Sequence, residues 1–422
     1  MKEATRVVTL ANGLRMIFDP VENRRTCAIG ILVQSGVGYE SPEQLGISHL
    51  IEHMVFRGTQ AHSSAEIARM SDRIGGSLNA YTARDHTCFY AHALRENAPM
   101  ALSLLCEMLT RPRFDPADLE TEKGVVREEI AAYEDAPESL CADLFFANAW
   151  AGNTLGGNVL GTRETLAAMD RAALLRHMAD FYTPERTILS FSGSFDEAEM
   201  TEICGAAFGS LPRGSRPPQA PCAAYTPFTL AVPRALTQNQ LILGFEGEPG
   251  ADLMRNHAAC YLATMLTGMN SSRLYLRLRD ALGLVYSVES DCCTYARSAL
   301  FTVSMGMSER TERQAIAEAV RALRELPRTF TAEELEVARE YSLAWFEMNG
   351  ESLTSRAAYN AESLVDFGRL LPRAENRDAL RAVSPELIRA VAEKMFDFDR
   401  ISLCAVGQVQ SAEDYRAYLA SL

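Results

Sequence analysis

Two histidines and a glutamate fall within five residues, at His49, Glu52 and His53, inside the run Ile47 to Thr59. On a helix, which turns once every 3.6 residues, His49 and His53 project from one face a turn apart, with Glu52 close beside them. One helix then offers two neutral imidazoles to a tetrahedral zinc ion. A third protein ligand must come from elsewhere, and the last position stays open for a water whose pKa the metal lowers to roughly 7. Glu52 is placed to take that water's proton as general base. The chain has only seven histidines in 422 residues, so the five-residue pattern would arise by chance on the order of once in a hundred such chains. Leu50, Met54 and Val55 make this helix apolar around much of its circumference, so its polar side chains are partly buried and need partners. A metal supplies one.

The third ligand must be Cys, His, Asp or Glu, and the helix expected over 117–133 carries the best-placed candidates. Stepping roughly 100° per residue, Leu119, Val125, Val126, Ile130 and Tyr133 define a buried arc. Glu122 and Glu129 fall inside that arc, whereas Glu128 points away. This phase selects Glu129 as the ligand and Glu122, two turns earlier on the same face, as its support.

The elements that must position these groups follow from local pattern. A hairpin is expected over 6–18, turning at Asn12-Gly13, and a longer apolar strand over 27–34. Gly36 and Gly38 break that strand and lead, past Pro42, into the motif helix. Ser63 and Glu66 have capping-box spacing and open a helix that ends at Gly75-Gly76. Residues 77–82, containing Asn79-Ala80-Tyr81-Thr82, and 87–94 read as paired strands. Helical periodicity returns over 98–109, and again near 140–150 and 164–181, before a strand over 187–193. Strands and helices do not alternate regularly, so the class is α+β, with largely antiparallel sheets packed with helices.

The proline-rich segment around Pro212, Pro217, Pro218 and Pro221 divides the chain almost in two. It places a first domain at 1–210, a linker at 211–224 and a second domain at 225–422. The two halves read as similar: Ser71-Asp72-Arg73-Ile74-Gly75 can be laid on Arg279-Asp280-Ala281-Leu282-Gly283, with Gly75 and Gly283 in register. Carried back to the motif, this alignment sets His257, Cys260 and Tyr261 opposite His49, Glu52 and His53. The second half is therefore expected to be a copy without a metal site.

A net charge of −14 argues against nucleic acid as a partner. No secretory signal precedes the first strand, and no apolar run of about 18 residues suggests a membrane span. Ten scattered cysteines without a Cys-x-x-Cys pair fit reduced thiols in a cytoplasmic chain.

His-x-x-Glu-His, followed by Glu122-x6-Glu129, resembles the pitrilysin family of inverted zincins, which includes insulin-degrading enzyme and the mitochondrial processing peptidase. Gly46-Ile47-Ser48 before the motif, Met54-Val55-Phe56-Arg57-Gly58-Thr59 after it, and Asn79-Ala80-Tyr81-Thr82 carry the same likeness. It covers essentially the whole chain and is closest to the short-chain branch related to the processing-peptidase subunits and their bacterial homologues. The resemblance implies two similar α+β halves, one Zn2+ per chain on His49, His53 and Glu129, Glu52 as base and Glu122 in support. It implies that Arg279 and Tyr286 bind the scissile region and stabilise the oxyanion, although by spacing alone they read as a solvated helix charge and a core aromatic. It also implies that the strand through Asn79 and Ala80 binds substrate as an added β-strand. The expected activity is hydrolysis of peptides or unfolded polypeptide segments by a homodimer. The alternative is a non-enzymatic or partner-dependent subunit of a processing-peptidase-like assembly.

Overall fold

The computed structural model describes residues 5–214 and 219–422, so Ser215 to Pro218 of the expected linker lie outside the described residues. The described residues form two compact units, one falling within 1–131, 157–221 and 348–371, the other within 132–156, 222–347 and 372–422. Each unit therefore includes a segment from the opposite side of the expected boundary at 211–224.

The first unit is built on six strands: β1 (Arg6–Thr9), β2 (Arg15–Pro20), β3 (Thr26–Val33), β4 (Ser77–Thr82), β5 (Thr87–Leu94) and β6 (Thr187–Gly193), in the order β1-β2-β6-β3-β5-β4. Every neighbouring pair is antiparallel except β2 and β6. The β1–β2 turn closes at Gly13, whose φ of 94° suits glycine, through bonds from Gly13 N to Leu10 O and from Leu10 N to Leu14 O, both 2.9 Å. β4 is an edge strand, because β5 is its sole neighbour in the sheet.

Both faces of the central strands are covered, which is why seven of the eight residues of β3 are buried. Ile29, Ile31 and Val33 join Leu50, Ile51, Phe89, Leu102, Leu105 and Phe191 in the main core. On the opposite face Leu32 packs with Ala361 and Leu364, and Ala28 with Leu353 and Ala357. Those four partners belong to the helix Leu353–Phe367, which comes from the far end of the sequence. Its approach is fixed by a salt bridge. Arg356 donates through Nε and Nη2 to the Asp19 carboxylate at 2.8 and 2.7 Å, and Thr5 and Ser192 donate to the same carboxylate at 2.9 Å.

The helix opened by Ser63 has the expected capping box and ends at Gly75, with φ 69°. The run expected as one helix over 164–181 is two, Arg163–Ala168 and Arg171–Phe181, because the Asp170 side chain accepts from Ala173 N at 2.7 Å and starts a new helix.

The second unit repeats the topology. Its strands β7 (Thr229–Pro233), β8 (Asn239–Glu246), β9 (Val285–Thr294), β10 (Ala299–Met307) and β11 (Ser402–Gly407) are ordered β7-β11-β8-β10-β9, with only β7 and β11 parallel. This is the pattern of β2-β6-β3-β5-β4, position for position. Its core includes Leu243, Phe245, Tyr261, Leu262, Phe301 and Leu323. Among the described residues, no helix is long and apolar enough to cross a membrane.

The Asp19 carboxylate is buried, so removing its cation leaves an uncompensated charge inside the first unit. Arg356→Ala is expected to destabilise the protein by about 3–5 kcal/mol in urea unfolding, and Asp19→Asn combined with Arg356→Met by clearly less. Equal losses in the two variants would show that the pair does not act as a unit.

Candidate metal centre

The motif helix runs from Ile47 to Val55 and buries Ile47, Ser48, Leu50, Ile51, Met54 and Val55. Gly46 precedes it with φ 90°, where an added Cβ would stand 2.5 Å from Leu160 O. The buried Glu40 carboxylate anchors this end, accepting from Gly46 N at 2.7 Å and Ser48 N at 2.9 Å. An anion at a helix N-terminus is electrostatically favoured. Burial nevertheless pushes the Glu40 pKa up to about 7, against the pull of the bonds from Ser48 and Gly46. A second anchor is His177, whose Nε2 lies 2.8 Å from Ser35 Oγ, which in turn lies 3.0 Å from Ser48 Oγ. Burial, and then Arg186, hold the His177 pKa down to about 3, so this ring is a neutral strut against Ser35 and Ser48.

With its apolar sides fixed, the helix turns His49 and His53 into one gap, ring centroids 4.6 Å apart. Glu129 enters the gap from the helix Pro116–Asp135, with Oε2 3.7 Å from His49 Nε2 and 3.6 Å from His53 Nε2. One donor atom from each of the three lies within 4.8 Å of the others. Among the described residues this is the one group able to hold a metal ion.

Glu122, two turns before Glu129, is 2% exposed. Its carboxylate accepts from His53 Nδ1 at 2.9 Å, and its other oxygen meets the Arg57 guanidinium. That partner fixes the proton of His53 on Nδ1 and leaves the Nε2 lone pair facing Glu129 and the gap. The expected buried arc of this helix needs correction. Leu119, Glu122, Lys123, Val126 and Ile130 are buried, whereas Val125 and Tyr133 are 40% and 48% exposed. Val125 lies off the packed line, and Tyr133 stands a turn beyond Ile130.

Glu52 accepts from Thr82 Oγ1 at 2.7 Å, tying the motif helix to the end of β4. Burial raises its pKa, opposed by Thr82 and His53 and reinforced by Glu129. On the same edge strand Asn79 is exposed, its Oδ1 accepting from Ala80 N at 2.9 Å, and Ala80 is half-buried. Arg279 and Tyr286 belong to the second unit. Arg279 lies 5.3 Å over the Tyr275 ring, and Tyr286, on β9, is 63% exposed and not a core aromatic.

The donor set fits zinc. Burial, and then the neighbouring His53, hold the His49 pKa down to about 3, so its imidazole is neutral and keeps one ring nitrogen lone pair to ligate. Two imidazoles and one carboxylate oxygen make a three-ligand set of the kind that leaves a position open for chemistry. The equivalent place in the second unit offers none of this. His257 Nε2 pairs with Asn376 Oδ1 at 2.7 Å, and the Tyr261 hydroxyl donates to Leu380 O at 2.9 Å within the core.

Sequence reasoning missed Glu40, Thr82 and Arg57. Arg57 follows His53 by four residues, so helical spacing could have flagged it. Glu40 and Thr82 reach the helix only through the tertiary fold.

A two-unit α+β fold carrying an inverted His-x-x-Glu-His helix and a distant glutamate defines the inverted-zincin class of peptidases. Family profiles agree: insulinase (peptidase family M16) matches residues 15–163, and the peptidase M16 inactive domain matches residues 168–341. A Bacillus subtilis protein described as the uncharacterized zinc protease YmxG is 34% identical over 393 residues, spanning 93% of this chain and 95% of its own. A Rickettsia bellii protein, also described as an uncharacterized zinc protease, is 29% identical over 396 residues, spanning 94% and 96%. Among solved structures, a protease from Helicobacter pylori shares the fold with a TM-score of 0.87 at 20% identity, over 96% of this chain and 99% of that one. A peptidase M16 inactive domain from Pseudomonas fluorescens does so with a TM-score of 0.87 at 16% identity, with the same coverage. The chain belongs to the insulinase family, peptidase family M16, the pitrilysin family of the resemblance.

Because Glu122 orients His53 as an anion, Glu122→Gln is expected to weaken zinc binding by roughly 10- to 100-fold. Competition against a chromogenic chelator measures this, and an unchanged affinity would remove Glu122 from the metal centre.

Proposed function

We propose that this chain is a zinc-dependent metalloendopeptidase that hydrolyses peptides or unfolded polypeptide segments. The observation that carries the reading is the convergence of His49, His53 and Glu129 on one gap, with Glu52 beside it on the same helix. The naming of relatives as zinc proteases supports it at the level of the family.

His49, His53 and Glu129 would hold one Zn2+ per chain. When bound, the ion supplies Lewis acidity, bringing the pKa of a water close to neutrality and polarising the scissile carbonyl. The protein's own part is then largely proton handling and orientation. Glu52 takes the proton of the attacking water on its carboxylate and returns it to the departing amine. The Thr82 hydroxyl, bonded to Glu52 Oε2, fixes the direction of that carboxylate. Glu122 keeps His53 in the tautomer that presents Nε2. The free edge of β4 at Asn79 and Ala80 would receive the substrate as an added strand, through main-chain hydrogen bonds.

Further parts of the reading rest on the family resemblance. Arg279 and Tyr286 would bind the scissile region and donate to the developing oxyanion. The first unit would be catalytic, the second would bind substrate, and two chains would form a homodimer. A cytoplasmic location accords with ten free cysteines. A non-enzymatic or partner-dependent subunit, the competing reading, is disfavoured because all three donors and the base are in place.

Purified protein is expected to carry about one zinc per chain. Glu52→Gln should retain that zinc and lower the cleavage of a mixed peptide library by at least about 100-fold, the usual contribution of a general base. Metal-free wild-type protein, or an equally active variant, would overturn the proposal.

A further inference from the structure

The helix Ala332–Asn349, which belongs to the second unit as far as Glu347, turns a row of large apolar side chains to the outside. Leu335 and Ala338 are its buried residues. Val337, Tyr341 and Trp345 are 41%, 47% and 59% exposed. Spaced four apart, they stand on one side of the helix as a ridge about 12 Å long. Single exposed apolar side chains are ordinary, but a contiguous row is characteristic of a docking surface.

The charges beside the ridge select its partner. Glu333, Glu336 and Glu340 run along one flank, all exposed. Glu336 is engaged by Arg339, which also donates to Val383 O. Glu333 and Glu340 have no cation within ion-pair distance among the described residues. A second copy of this chain would bring the same carboxylates to the ridge, and this helix has no other cation to offer them. An anionic lipid surface would be repelled in the same way.

We infer that this ridge docks a cationic amphipathic helix. The partner's apolar residues, at i, i+3 or i+4 and i+7, would lie across Val337, Tyr341 and Trp345 as one helix packs its ridge beside another. Its Lys or Arg side chains would meet Glu333 and Glu340. The flank gives the interaction a direction and a salt dependence that the apolar ridge alone would lack.

The chain's two tryptophans make the test direct, since Trp150 is 1% exposed and Trp345 reports on the ridge. The probe is a synthetic amphipathic peptide of Leu and Lys, about five helical turns long. Added to the full chain carrying Glu52→Gln, which guards the peptide against cleavage, it is expected to shift the Trp345 emission to shorter wavelength. Anisotropy of the labelled peptide should show binding that weakens as salt is raised, and that weakens roughly tenfold or more with Trp345→Ala or with Glu333→Lys and Glu340→Lys together. Unchanged binding to these variants, or equal binding of the matching Leu and Glu peptide, would overturn the inference. So would a short-wavelength Trp345 emission that appears without peptide and is lost on dilution, which would give the ridge to a second copy of the chain.

Discussion

The helix Ile47–Val55 must bury apolar side chains on most of its circumference and still keep two imidazoles and a carboxylate on what is left. Much of the first unit follows from that constraint. Leu50, Ile51, Met54 and Val55 fix the rotation of the helix in the core. Glu40 and the Ser35–Ser48–His177 chain fix its N-terminal end. Rotation and position being set, His49 and His53 have one place to point, and Glu129 needs only the phase of a single neighbouring helix to reach it. Placing these groups on packed helices, instead of loops, gives the gap its precision.

The environment also divides the labour among four glutamates. Glu40 is buried against main-chain donors and caps a helix. Glu122 is buried against His53 and Arg57 and sets a tautomer. Glu129, more exposed than Glu122, keeps an oxygen turned to the gap. Glu52, shielded and held by Thr82, combines a raised pKa with a fixed direction, the properties wanted of a base. The second unit repeats the strand order around a different interior. Tyr261 fills the core there and spends its hydroxyl on Leu380 O, so the same architecture is left with packing and no donor set.

The site was largely legible because its spacing is helical. His49, Glu52 and His53 share one helix, and Glu122 and Glu129 share another, so a period of 3.6 residues places each set without any knowledge of the fold. The same periodicity misassigned Val125 and Tyr133. Apolar character predicts burial only where a neighbour covers the helix, and no neighbour could be read from the sequence. Thr82 shows the complementary limit. Its strand was expected, but its bond to Glu52 depends on β4 lying beside the motif helix, a matter of sheet order. That order, β1-β2-β6-β3-β5-β4, interleaves strands far apart in sequence.

The helix Leu353–Phe367 marks the same limit for the fold. Its apolar line Leu353, Ala357, Ala361 and Leu364 is visible in the sequence at helical spacing, but its destination is not. The clues lie in the sheet it joins. β2 carries Asp19 among buried apolar neighbours, and a buried carboxylate requires a cation and donors. β3 carries Gly30 between Ile29 and Ile31, and the position a Cβ would take there lies 4.0 Å from that of Ala357. Small residues on both surfaces let the helix lie close to the strands, and Arg356 supplies the missing cation at its start. Each clue states a need without naming the partner. With 38 arginines to choose from, only the folded chain selects the one 337 positions away.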